Sequence, residues 1–134
     1  MDIFLSYADA DRKWATDLSS HLKREGFVVR DPFKDSFPGD NIGSQIESAL
    51  EESDAMVVLL SPDASQSQYV NSEIEYALGS PRYKNRLIPV VVRGSTNLPW
   101  TRFVPVVKVG RRSAAQIGRL VVDALAASTA QDGR

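Results

Sequence analysis

A glutamate on the flank of an apolar helix face is the residue in this chain best placed to do chemistry. In the run Tyr69-Val70-Asn71-Ser72-Glu73-Ile74-Glu75-Tyr76-Ala77-Leu78, the positions Val70, Ile74, Ala77 and Leu78 share one helical stripe. At about 100° per residue, Glu73 falls roughly 85° from the centre of that stripe, with Tyr69 on the same side, and Glu75 falls roughly 115° away on the other side. A carboxylate at a core boundary is partly desolvated and firmly held, which suits it to stabilise positive charge; the same position also suits an ordinary structural hydrogen bond. A second feature is the segment from Arg30 to Asp40, long for a connection and holding Phe33 and Phe37 without an evident core role. Each ring either tucks onto the sheet edge or stacks on a planar ligand or a neighbouring subunit.

Other chemistries lack their residues. The chain has no cysteine, which removes disulfides, thiolate metal sites and a cysteine nucleophile, and its single histidine, His21, stands beside Leu18 and Leu22 as a structural residue would. Neither a G-x-x-x-x-G-K-[ST] run nor a G-x-G-x-x-G turn occurs. A phospho-receiver domain would need carboxylates after its first and third strands, where this chain has Ser6-Tyr7 and Leu60-Ser61-Pro62; Lys108 alone is only a partial match. With 16 Lys+Arg against 17 Asp+Glu there is no global field to draw nucleic acid or an anionic membrane. No basic, apolar leader opens at Met1 and no run has the length of a membrane span, so the expectation is a cytoplasmic domain that is neither exported nor embedded.

These residues must be positioned by a ladder of βα units. Short apolar runs at Ile3–Leu5, Phe27–Val29, Ala55–Leu60, Leu87–Val92 and Val104–Val109 alternate with helical stretches, and the third is continuous, as in a strand covered on both faces. One helix is expected from Asp11 to Glu25 on Trp14, Leu18 and Leu22, ended by Gly26. Asp40 or Asn41 caps a second, with Ile42, Ile46, Ala49 and Leu50 inward. Ser113 with Gln116 reads as a capping box for the last, which buries Ile117, Leu120, Val121, Ala124 and Leu125. The 134 residues suit one α/β domain with a parallel sheet and helices on both faces, whose site lies beyond the carboxyl ends of the strands, in the loops Ser6–Asp11, Arg30–Asp40, Ser61–Gln68 and Arg93–Phe103. Residues 1–127 are read as the domain and 128–134, without an apolar anchor, as a tail or the start of a linker.

Three segments in order resemble the Toll/interleukin-1 receptor (TIR) domain family: Asp2-Ile3-Phe4-Leu5-Ser6-Tyr7-Ala8 followed by Asp11, then Phe37-Pro38-Gly39-Asp40, then Tyr69-Val70-Asn71-Ser72-Glu73, with Tyr69 where the family usually has tryptophan. Trp100 and Phe103 resemble its final box only loosely. The resemblance implies a flavodoxin-like five-stranded sheet of order 2-1-3-4-5. It also implies one of two functions: assembly as an adaptor, or cleavage of NAD+ at the nicotinamide-ribose bond, as in many bacterial members of antiphage defence systems. For the enzyme, the resemblance makes Glu73 the catalytic residue, places Ser6 and Tyr7 in the pocket with Tyr69 supporting Glu73, offers Phe33 and Phe37 for stacking, and gives Arg30 a phosphate. The loop with Asp31, Pro38, Gly39 and Asp40 becomes the assembly element. NAD+ is then the substrate, with no cofactor or metal, and the partners are other TIR protomers and a fused or associated sensor domain.

Overall fold

The computed structural model describes residues 1–94 and 98–132, with side chains through 128. Five parallel strands, β1 (Asp2–Ser6), β2 (Val28–Arg30), β3 (Ala55–Leu60), β4 (Leu87–Val91) and β5 (Val107–Lys108), form one sheet in the order β2-β1-β3-β4-β5. The order expected from the resemblance is therefore the one found. All six residues of β3 are buried, because helices cover both faces of the sheet.

Side-chain alternation sorts the core into two layers. Ile3 and Leu5 of β1 with Ala55, Val57 and Leu59 of β3 face α1 (Arg12–Arg24) and α6 (Ala114–Asp132), where Leu18, Leu22, Ile117, Val121 and Leu125 complete the packing. Phe4, Met56, Val58 and Leu60 face the other way, onto Ile46, Ala49 and Leu50 of α3 (Ile42–Glu52) and Val70, Ile74 and Ala77 of α5 (Gln68–Leu78). Trp14 packs against the first layer and Trp100 against the second. His21 holds the α1–α6 contact: a Cβ placed on Gly118 would lie 2.1 Å from its ring, so only glycine lets the two helices approach this closely.

Local signals explain the helix ends. Asn41, rather than Asp40, caps α3 by accepting from the Ser44 backbone N–H, Ser67 caps α5, and Ser113 and Gln116 exchange the two bonds of a capping box at 3.2 and 2.8 Å. Several expectations are corrected. Leu78, placed in the α5 stripe by spacing, is half exposed. β5 is only two residues of the expected Val104–Val109, because a 3-10 turn at Pro99–Phe103 and the imide nitrogen of Pro105 use up its start. Pro89 sits inside β4 without harm: Val92 N–H bonds Leu60 O on β3, so two-residue parity aims the position-89 nitrogen at the β5 side, where the ladder begins only at Val90. The helix expected to give way to a tail after Ala127 continues to Asp132, with Ser128 buried and its hydroxyl bonded to Leu125 O. Residues 95–97 of the fourth loop and 133–134 of the tail lie outside the described residues.

Candidate active site

Strand parity delivers Ser6 to the α5 face. Ser6 ends β1 on the same side as Phe4, only 1% exposed, and its hydroxyl donates to Glu73 Oε1 at 2.7 Å. Glu73, expected on the flank of α5, is in fact 4% exposed, one turn after Tyr69 and between the buried Val70 and Ala77. Glu75 is exposed, as the wheel requires. Burial pushes the Glu73 carboxyl up to about 7; the Ser6 hydrogen bond opposes the rise and the nearby Asp31 charge adds to it.

Asp31 is a member of this site and not of an exposed assembly loop. It follows β2 and caps a four-residue helix, α2 (Pro32–Asp35), that sequence periodicity had not revealed; Oδ1 accepts from the Lys34 backbone N–H at 3.3 Å, and Oδ2 accepts the Tyr7 hydroxyl at 2.8 Å. The carboxylate is 5% exposed, and burial raises its pKa while the Tyr7 and Lys34 hydrogen bonds oppose that rise. Burial and the hydrogen bond to Asp31 likewise hold the Tyr7 phenol in its neutral form. Two carboxylates from opposite sides of the first βα unit are thus each tied to a hydroxyl from the end of β1.

A cleft of about 240 Å³ opens next to this pair, lined by Tyr7, Ala8, Asp9, Arg12, Phe33, Ser67 and Tyr69. Phe33 of α2 and Tyr69 of α5 meet edge to face across it, with ring centroids 5.2 Å apart. Ser6 and Glu73 do not line the cleft themselves; Tyr7, next to Ser6 in the chain, and Tyr69, one helical turn before Glu73, form its wall. The walls are held by a network over the carboxyl ends of β1, β3 and β4. Buried Asp11 accepts from Ser61 Oγ and, through its other oxygen, from Arg93 at 2.9 and 3.1 Å, and Arg93 also pairs with Asp63. Ser61 at the same time caps α4 (Pro62–Ser65).

The structure brings together Ser6, Tyr7, Phe33, Tyr69 and Glu73, joins to them Asp31, which the resemblance assigns to the assembly loop, and adds Asp9, Arg12 and Ser67, which no sequence motif marks. It does not bring in Arg30. That guanidinium points back along the sheet to Asp2 at 2.7 Å and to Glu52 at 3.0 Å, so the ion pair and not a phosphate holds it. Phe37 is also apart: 76% exposed, it starts a turn in which Asp40 accepts the Phe37 N–H at 2.7 Å and Gly39 takes φ 93°. Pro38, Gly39 and Asp40 share that exposed turn.

Chemically, this is a protonatable carboxylate in a low-dielectric wall beside an aromatic cleft, able to favour a cationic group by ionising against it. A profile of the TIR domain family matches residues 3–121. A segment of 51 residues, 38% of this chain, is 47% identical to a protein of an Actinoplanes species named NAD(+) hydrolase ApTIR, and it corresponds to 7% of that protein, so the chain spans a small part of this relative. The fold is shared with the TIR domain of the Toll-related receptor TRR-2 of Hydra magnipapillata, at TM-score 0.73 and 21% identity over 91% of this chain and 96% of that one. It is shared too with a metazoan TIR-STING receptor from C. gigas, at TM-score 0.71 and 23% identity over 89% of this chain and 38% of that one. A family profile spanning almost every element of the sheet, from β1 into α6, means that the chain belongs to the TIR domain family.

Proposed function

We propose that this domain cleaves NAD+ at the nicotinamide-ribose bond, with Glu73 as the catalytic carboxylate. The observation that carries the reading is the Ser6–Glu73 pair: a buried carboxyl held near neutrality beside an aromatic-walled cleft. A single carboxylate suffices for this bond. Nicotinamide is cationic in the substrate, so when the C–N bond breaks the electron pair goes to the ring and a neutral base leaves without a general acid. The positive charge passes to the ribosyl group, which ionised Glu73 stabilises, and water adds at the same carbon with release of a proton. Phe33 and Tyr69 offer faces and edges for the planar base. The similarity to a protein named NAD(+) hydrolase supports the substrate.

Activation by self-assembly fits the placement of Phe33 on α2, in the same segment as the exposed Phe37 turn, so a neighbouring protomer that grips the turn could pull Phe33 from Tyr69. We place the activity in bacterial antiphage defence, with a sensor domain as trigger. A second reading, a non-catalytic module binding other TIR domains, draws on that same exposed Phe37 and Pro38. The purified chain, dilute and then crowded or tethered, is incubated with NAD+ beside Glu73→Ala. Turnover that rises with crowding and is lost in the variant is expected; cleavage retained by Glu73→Ala would remove the assignment, and self-association without cleavage in any condition would favour the binding module.

A further inference from the structure

Among the described residues, the cleft has one cation in its lining. Arg12, the first residue of α1, lines the cleft together with Tyr7 and Phe33, its side chain 66% exposed, and the other described lining groups are apolar or neutral apart from Asp9. In this structure Asp9 holds the guanidinium: Nε donates to Oδ1 at 3.0 Å, and Nη2 contacts the same oxygen. Both side chains are well exposed, at 66% and 82%, and such a wetted pair is easily exchanged for a stronger partner. Its geometry is also incomplete. Two N–H groups converge on one oxygen, whereas a guanidinium fork is matched best by two separate oxygens, as a phosphate presents them. The other arginine considered for this task, Arg30, is held by Asp2 and Glu52.

We propose that Arg12 is the specificity residue that binds a phosphate of the dinucleotide at the cleft mouth, and that Asp9 is a built-in competitor which that phosphate displaces. The proposal rests on the NAD+-cleaving reading for its substrate and goes beyond it in naming the residue that separates dinucleotides from phosphate-free nicotinamide ribosides. Recognition by charge outside the buried Ser6–Glu73 pair would let the phosphate fix the dinucleotide while the aromatic walls receive the base.

The test uses binding of ADP, which has no nicotinamide-ribose bond to cleave, measured by titration calorimetry on the Glu73→Gln chain. Adding Arg12→Ala should weaken ADP at least about tenfold, Arg12→Lys should recover part of that loss, and Asp9→Asn should tighten ADP several-fold. In the chain with Glu73 intact, Arg12→Ala should lower the ratio of kcat/KM for NAD+ to that for nicotinamide riboside by at least about tenfold. Unchanged ADP affinity in Arg12→Ala, or an equal loss for both substrates, would overturn the assignment of Arg12; weaker ADP binding in Asp9→Asn would overturn that of Asp9. Because binding is read without cleavage, a chain that takes ADP through Arg12 but leaves NAD+ intact counts against the enzyme reading and leaves this one standing.

Discussion

Glu73→Gln should stabilise the domain in alkaline solution and not in acid. The folded state holds the Glu73 proton more tightly than the unfolded chain does, at about 7 against 4.5. The corresponding stability is therefore fully present below the unfolded value and lost as the pH rises through the folded one. Applying linkage to those two values, the contribution falls by about 2–3 kcal/mol between about pH 5 and about pH 8.5. Glutamine is neutral throughout, close in shape, and can still accept the Ser6 hydroxyl. It substitutes an amide for the carboxyl, at a cost of about 1 kcal/mol if its N–H groups go unpaired, but that cost is the same at both pH values and cancels in the comparison. Urea unfolding of the two chains at the two pH values gives four free energies. The stability of the glutamine chain relative to the parent should rise by about 2–3 kcal/mol from the acid to the alkaline condition. A difference that stays constant, or moves the other way, would mean that Glu73 is already ionised in the folded chain, and the electrostatic account of the site would fail.

Three further outcomes follow from the same geometry. The kcat/KM for NAD+ should fall about tenfold per pH unit below about 7 as Glu73 takes up its proton; Asp31→Asn, which removes a negative charge that raises the Glu73 pKa, should move that limb to lower pH in a rate profile. Gly118→Ala should destabilise the fold by about 1–2 kcal/mol despite its better helix propensity, because the new methyl meets the His21 ring, and adding His21→Ala should return much of the loss in a double-mutant unfolding cycle. Ser61→Ala should cost about 1–2 kcal/mol in urea unfolding, since it removes the cap of α4 and one donor to buried Asp11 together.

The parts of the site that could be read from the sequence are those fixed by short-range periodicity. Ser6 ends an apolar run whose parity decides its face, and Glu73 has a helical neighbourhood whose spacing puts it near the core; that the two meet across 67 positions followed once the sheet order was set. Asp31 reads as loop because a four-residue helix carries too few turns to show a period, and its hydroxyl partner, Tyr7, stands 24 positions away, just past the end of β1. For Arg30 the sequence leaves a surface ion pair and a ligand phosphate both open for a related reason: strand position tells which face a side chain leaves by, but not that a long one folds back along the sheet to Asp2 and Glu52. Arg93 and Asp11 lie 82 positions apart, after β4 and after β1, where no sequence pattern couples them before the strands are in place. Arg12 carries no sequence signal of a site, and only its place in the lining of the folded cleft brings it to notice.

The sheet that divides the core into two layers also divides the chain's two indoles, Trp14 on the α1–α6 side and Trp100 on the side that carries Glu73. Each layer thereby carries its own fluorophore. Replacing one indole with phenylalanine at a time yields chains whose emission reports a single layer, and coincident melting of the two signals would mean that the helices on the Glu73 side and those on the far face let go of the sheet in one cooperative event. A Trp100 signal that loosens first would instead make the reactive layer the softer half of the molecule, with the α1–α6 layer serving as its stiff backing.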